Sequence, residues 1–290
     1  MSAYAGFVFP EADVRGRIPS KLGWLSDGVT ITTRLGTPDT TAIVHPALFT
    51  KAIMQAAQEH GARLRSGAVT GILRRRQESV VRGVEAGGEV IEADAVVIAL
   101  GPWSLLAAQW VRLPAVIGQL SPSLVFNTGA DVPAESLFLE YQEATGAVFT
   151  VEVFPRADGS TLVTAFSDEA PLPTDPADVT PDQDRIKRLE AICEQLSPAF
   201  ARSRIVTRQA CFRPVTQDGM PLIGTVPGSE GAYVATGHNV WGILNAPATG
   251  EALAELIVDG VATSTELTPF DPIRLRPLDP APLRAGGKSL

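Results

Sequence analysis

The chain has 290 residues, with 24 Lys and Arg against 32 Asp and Glu, a formal net charge of −8. With 45% hydrophobic and 19% charged residues it can bury a sizeable core as one large domain or two ordinary ones, which excludes wholesale disorder. The acidic balance argues against nucleic acid and anionic membrane surfaces as partners, and no apolar run reaches the ~18 to 20 residues of a membrane span.

Residues 1–40 read as short strands and loops, punctuated by Pro10, Pro19, Gly23 and Asp27-Gly28. The N-terminus lacks a basic start followed by a long apolar core, so it makes a poor signal peptide. A helix is expected over 46–60, with Pro46 at its first position and Gly61 at its C-terminal cap. Leu48, Phe49, Ala52, Ile53, Ala56 and Ala57 recur at helical spacing, which predicts one buried face. Strands are expected near 62–65 and 69–73, and Gly87-Gly88 marks a hairpin within 80–93. The apolar run AVVIALG, 95–101, reads as a strand buried on both faces of a parallel sheet.

From 115 to 167 the pattern changes to alternating strands: AVIGQLSPSLVF, SLFLEYQ, AVFTVEVFP and TLVTAF, with a turn at Ala157-Asp158-Gly159-Ser160. This predicts an antiparallel sheet. A Pro- and Asp-rich loop, 168–179, precedes a helix from Pro181 to about Phe200, with a capping box of Thr180 and Gln183. Its buried stripe is Ile186, Leu189, Ile192, Cys193 and Leu196. A strand over 205–212, a buried strand over 231–237 and a helix from Thr249 to Asp259 capped by Gly260 follow. Residues 261–290 read as a Pro-rich tail without periodicity.

Several motifs fail. The terminal GGKSL has no strand before it and no room for a helix after it, so it is not a phosphate loop. Arg74-Arg75-Arg76 reads as a solvated hairpin edge. The His and Cys residues lack metal-ligand spacing, and G-x-S-x-G is absent. Two cysteines make no disulfide framework and suit a reducing, cytoplasmic compartment.

The densest signal lies in 210–260. A buried strand stops at Gly237, and the loop His238-Asn239-Val240-Trp241-Gly242 leads on to a helix. A helix N-terminus fed by such a loop offers free N–H groups to an anionic or electron-rich ligand.

ACFRPVTQDGMPLIG, YVATGHNVWGILNAPATG, IEADAVVIALGPWS and HPALFTKAIMQAAQEHGARLRSGAVTGI together resemble the FAD-dependent oxidoreductase superfamily of D-amino-acid oxidase, glycine oxidase and sarcosine oxidase. The combination is most similar to a eukaryotic branch of oxidoreductases without an evident substrate. The resemblance covers about 25–275. It implies an α/β fold: a Rossmann-type FAD-binding domain, 1–112 and 210–262, with an inserted antiparallel β-sheet substrate domain, 113–209, and a tail, 263–290. The FAD-binding domain is expected to be incomplete, because the family's opening strand, G-x-G-x-x-G turn and helix have no counterpart in this sequence.

The implied chemistry is hydride transfer from the carbon bearing an amine to FAD, on a small amine or amino-acid substrate, with dioxygen or another acceptor reoxidising the flavin. The resemblance assigns Arg213 to a substrate carboxylate. It assigns the backbone at Gly242, Ile243 and Leu244 to the flavin edge, and Val69, Gly101, Gly237 and His238 to cofactor contact. Cys211 matches the family position that can link covalently to flavin, while Trp241 and Tyr141 are expected to wall the substrate pocket. A second arginine clamp position is Val240 here, which puts a simple α-amino acid in question. Two alternatives stand beside this reading. One is a non-catalytic fragment that binds FAD poorly or not at all; the other is a split enzyme whose missing unit comes from a second polypeptide.

Overall fold

The computed structural model describes residues 23–29, 33, 36–37, 39–74 and 79–284. Most of the expected N-terminal strands, Arg75 and Arg76, and the terminal GGKSL lie outside these residues. In chain order the elements are α1 (Pro46–Glu59), β1 (Val69–Arg74), β2 (Val81–Ala86), β3 (Glu89–Glu92), β4 (Val96–Ile98), β5 (Val116–Asn127), β6 (Leu137–Gln142), β7 (Val148–Pro155), β8 (Ser160–Ala165) and β9 (Asp168–Glu169). Then come α2 (Gln183–Leu196), α3 (Pro198–Arg202), β10 (Arg204–Thr216), β11 (Leu222–Thr225), β12 (Ala232–Thr236), α4 (Gly242–Asp259) and α5 (Ala281–Arg284). The chain divides into two compact units: 1–49, 122–166 and 181–209 form one; 50–121, 167–180 and 210–290 form the other.

The first unit holds β6, β7, β8 and the second half of β5 as an antiparallel sheet, in the order β5-β8-β7-β6. The turn between β7 and β8 forms as its residues demand. Gly159 is left-handed (φ +82°), and Asp158 accepts hydrogen bonds from the Ser160 N–H and hydroxyl. One sheet face carries Leu124, Phe126, Val151, Val153 and Val163, and α2 lays Ile186, Leu189, Ile192, Cys193 and Leu196 against it, the predicted stripe. The cap of α2 differs from the expected Thr180. Asp182 takes the position, and its carboxylate accepts from the Asp184 and Arg185 N–H groups. Nor does this helix run on to Phe200. Ser197 precedes Pro198 and is driven to extended backbone, where it ends α2 and caps α3.

In the second unit β1, β2 and β3 make an antiparallel meander. Gly87 and Gly88 are both left-handed (φ +59° and +80°), the two-residue primed turn the sequence predicts. A second sheet has the order β11-β12-β4, with β11 antiparallel and β4 parallel to β12. Its core gathers Val81, Ile98, Ala107, Leu113, Leu222 and Val234.

Two expectations fail, for the stretch 62–65 and for α1, which runs from the first unit into the second. The stretch 62–65 forms no strand. Packing holds the described part of the Pro-rich C-terminal segment: Leu275, Leu278 and Leu283 lie on the core, and Leu278 donates its N–H to the Leu113 carbonyl. Arg274 straps it further, donating from Nε and Nη2 to the two Asp218 oxygens and from Nη2 to the Met220 carbonyl. Second, α1 buries no residue, and Leu48 and Ile53 are exposed. Helical spacing makes an apolar stripe, but nothing among the described residues covers it.

The Arg274 strap makes a pH-dependent contribution. Burial pushes the Asp218 carboxyl upward, yet the Arg274 guanidinium, the Met220 N–H and the Thr216 hydroxyl together hold it below the usual carboxylate range. A depressed folded-state value means that the stabilisation is present above the unfolded value, about 3.9, and is lost as pH falls through the folded value. Asp218→Asn is therefore expected to lower stability by about 1–3 kcal/mol at pH 7. The difference from the parent should shrink below about pH 4 in urea unfolding followed across pH.

Candidate functional site

Within the second unit a groove of about 430 Å3 lies between β4, β12 and the first half of α4. Its walls include Val97, Ala99, Gly101, Thr236, His238, Asn239, Gly242 and Ala246. The volume falls in the range of small-molecule sites, roughly 300–1,000 Å3.

Strand ends and left-handed residues build one end of it. β4 stops at Ile98, and Gly101 turns with φ +56°, its carbonyl accepting the Thr236 hydroxyl at 2.8 Å. β12 stops at Thr236, and Gly237 turns with φ +81°. Asn239 is left-handed too (φ +51°), a conformation that non-glycine residues seldom adopt. Its side-chain Oδ1 is buried and has no hydrogen-bond partner. Such orphans are rare in folded proteins, because leaving a buried acceptor unmatched costs about 1–3 kcal/mol.

α4 begins at Gly242, seven residues before the expected Thr249, and runs through Pro247. No side chain caps its N-terminus: Trp241 is the cap residue and donates only its backbone N–H to the His238 carbonyl. The first-turn N–H groups have no partner within the helix, and the positive end of the dipole adds to their pull on electron-rich ligands.

His238 is half-buried, and its Nε2 lies 3.0 Å from the Thr249 hydroxyl. Burial lowers its pKa below the ordinary histidine value. The ring is therefore neutral at pH 7, a hydrogen-bonding wall and not a cation.

The structure brings Gly101, His238 and Gly242 together on the groove, with Gly237 between Thr236 and His238. Trp241, Ile243 and Leu244 lie on the same helix start and are exposed. Arg213 sits on β10 next to the wall residue Pro214 and close enough to Cys211 for its charge to act on the thiol. Cys211 is not among the groove walls. Burial pushes its thiol pKa up, and the Arg213 guanidinium partly offsets that.

Val69 opens β1 and pairs with Ala86, away from the groove walls. Tyr141 lies in the other unit. Its ring packs on the α2 face, with the Phe149 ring 5.3 Å away, and its hydroxyl donates to Gln195. Sequence reasoning missed Asn239, although asparagine is among the few residues that tolerate the left-handed region.

One more expectation changes here. β4 is three residues long, and Val97 is 40% exposed, so the run 95–101 is not buried on both faces. Of the eighteen residues of α4 only Thr249, Ala252 and Leu253 are buried. Among the described residues no helix is long and apolar enough to cross a membrane, and no group of three His, Cys, Asp or Glu could hold a metal ion.

Comparison with known proteins identifies the family. Residues 11–256 match the model of the FAD dependent oxidoreductases. "Putative oxidoreductase TDA3" of Saccharomyces cerevisiae is 28% identical over 309 aligned positions, covering 90% of this chain and 56% of its own. The glycine oxidase of Pseudomonas putida is 30% identical, covering 76% of this chain and 52% of its own. Among solved structures, glycine oxidase from Geobacillus kaustophilus superposes with a TM-score of 0.63 at 26% identity, over 77% of this chain and 56% of that one. The chain thus spans about half the length of these relatives. Over the part it spans it has the expected α/β fold, an incomplete Rossmann-type FAD-binding domain with an inserted antiparallel β-sheet substrate domain. With most of its length matched, the chain belongs to the FAD-dependent oxidoreductase family.

Proposed function

We propose that this chain holds the flavin ring and the substrate in an FAD-dependent enzyme that oxidises a C–N bond of an amino acid or amine. The observation that carries the reading is the groove at the uncapped start of α4, walled in part by Asn239, a left-handed residue whose buried Oδ1 has no partner. The donor set fits a flavin. The helix start supplies N–H groups for the carbonyl edge of the ring, and the Asn239 acceptor suits a ring or ribityl donor. Gly101 and Gly242 leave the backbone open to close approach: a Cβ at Gly101 would meet nothing within 4 Å, and one at Gly242 only the His238 Cβ at 3.8 Å.

A bound FAD would supply a hydride acceptor for the carbon that carries the amine, so that the C–N bond is oxidised to an imine that water hydrolyses. The chain's own residues orient and shield. Gly242, Ile243 and Leu244 offer N–H groups to the electron-rich edge, where the dipole of α4 favours developing negative charge. Gly237 and the neutral His238 shape the turn that brings these groups to the ring. Val69 is assigned to the adenine by its backbone. Trp241 walls the substrate side and excludes water. Arg213 holds a substrate carboxylate, for which the guanidinium fork is suited. Tyr141, held by Gln195 in its own unit's core, fits a structural role better than a pocket wall. Cys211 lies outside the groove walls and burial raises its thiol pKa, both of which argue against a covalent bond from it to the flavin.

Arg213→Gln is expected to raise the KM for a carboxylate-bearing substrate about ten- to a hundredfold, the worth of hydrogen bonds to a charged group. The matching amine without a carboxylate should be affected little. Steady-state kinetics on the pair checks this. The reading as a whole is tested by anaerobic titration of the FAD-loaded protein with amines and amino acids. Bleaching of the visible flavin band supports it; bound flavin that no amine or amino acid bleaches overturns it. Acid precipitation of the same sample should leave the FAD in solution.

A second reading has its own support: FAD is held only once a further segment completes the site. The apolar start of α4 stands uncovered, with Leu244 at 68% exposure.

A further inference from the structure

We infer that a second pocket in the same unit, remote from the groove, binds an organic anion: a carboxylate or phosphate headgroup joined to an apolar or aromatic body. The site stands apart from the flavin reading and does not depend on it.

The pocket encloses about 430 Å3, within the range of small-molecule sites. It shares no wall residue with the groove, and the two lie at opposite ends of β12. Gly228 and Ser229 wall the pocket just before the strand begins, whereas Thr236 and His238 wall the groove where it stops.

Backbone bonds fix the pocket walls. The Ser229 N–H donates to the Val226 carbonyl, and its own carbonyl accepts from the Ala232 N–H. Trp110 closes the 3-10 helix Gly101–Gln109 with its N–H on the Ala107 carbonyl. Pro277 and Leu278 are held by the bridge of Pro277 to Pro114 and by the Leu278 hydrogen bond to Leu113.

Both charges on these walls are positive. Arg74, expected at a solvated hairpin edge, is half-buried at the end of β1. Its guanidinium donates to the Ser79 carbonyl at 3.0 Å, the Trp110 carbonyl at 3.2 Å and the Ser229 hydroxyl at 2.8 Å. Three of its five N–H donors thus meet neutral acceptors, and two remain. The Ser229 hydroxyl is buried, and because its oxygen accepts from Arg74 its own O–H is left to donate. Arg112 adds a second, exposed guanidinium. No Asp or Glu is among the walls. A partly buried charge is costly without a counter-charge, so an anion is what this set lacks. The protein as a whole carries −8, so the positive spot is a local feature and not part of a basic surface.

The rest of the lining sets the body of the ligand. Trp110, Val111, Pro277, Leu278 and Pro280 are apolar or aromatic. A bare inorganic anion would leave them uncovered, whereas a ring or short chain on the headgroup would bury against them. Guanidinium groups suit carboxylate and phosphate oxygens alike, so the test carries one arm for each.

Amide shifts of the chain are followed by NMR during titration with phenyl phosphate, phenylacetate, inorganic phosphate and benzyl alcohol. At least one of the two organic anions is expected to move the signals of 109–112 and 228–229 saturably. Inorganic phosphate should bind at least tenfold more weakly, and benzyl alcohol should leave these signals unmoved. Binding of either organic anion there supports the site, and the tighter one names the headgroup. Arg112→Gln is expected to weaken binding about ten- to a hundredfold, the worth of hydrogen bonds to a charged group, with the circular dichroism unchanged. Arg74→Gln should weaken it as much but also removes the bonds to Trp110 and Ser229, so Arg112→Gln is the deciding variant.

No saturable shift at 109–112 and 228–229 with either organic anion overturns the inference. So does equal affinity in Arg112→Gln, or inorganic phosphate bound as tightly as phenyl phosphate. Shifts confined to 237–246 would put the anion in the other groove and overturn it as well.

Discussion

Gly237→Ala is expected to destabilise the second unit by about 2–5 kcal/mol. Two costs add. The left-handed backbone, φ +81°, costs a residue with a Cβ about 1–2 kcal/mol. The added Cβ would also lie 2.6 Å from Thr216 Cγ2 in a buried turn, and such overpacking costs about 1–3 kcal/mol. Thr216 has little freedom to give way. It is 3% exposed, and its hydroxyl donates to the Met220 carbonyl at 2.7 Å and lies 3.1 Å from Asp218 Oδ1. The urea midpoint of the variant measures the loss. A shift below about 0.5 kcal/mol, the scale of a neutral surface change, would show that the turn is not held as described.

Asn239→Gly is expected to separate stability from binding. Glycine adopts φ +51° without the side-chain penalty, and the substitution also removes the buried orphan Oδ1. Without FAD the variant should therefore be as stable as the parent or more stable, by up to about 1–2 kcal/mol. FAD affinity should fall about ten- to a hundredfold if the orphan accepts a hydrogen bond from it. A variant that loses stability and keeps its FAD affinity would assign Asn239 to the fold and not to the ligand. Strain and unsatisfied polarity that persist at one residue are expected where a site is kept ready for a ligand.

How much of this was legible in the sequence depended on whether the deciding interaction was local. The Gly87-Gly88 hairpin, the Asp158-Gly159 turn and the Gly260 cap follow from backbone freedom at one or two residues. The α2 stripe followed from spacing, because the sheet that covers it lies in the same unit. The apolar runs of α1 and β4 were legible as apolar, but spacing says which side seeks cover and not whether cover is present. The start of α4 was misread because Gly242 and Pro247 look like helix breakers. Both fall within its first six residues, where solvent can take up a freed backbone group. The C-terminal strap was invisible, since the meeting of Arg274 with Asp218 spans 56 residues of chain and leaves no periodic trace. At the site, the G-H turn and the helix after it could be named from sequence, whereas the Asn239 orphan is a property of burial alone.

The central claim is that FAD sits in the groove between β4, β12 and the start of α4. Amide exchange of the chain with and without saturating FAD tests it most directly. Slowed exchange confined to 97–101 and 237–246 is expected. FAD that binds and slows exchange elsewhere while leaving these two stretches unchanged, or that does not bind, would contradict it.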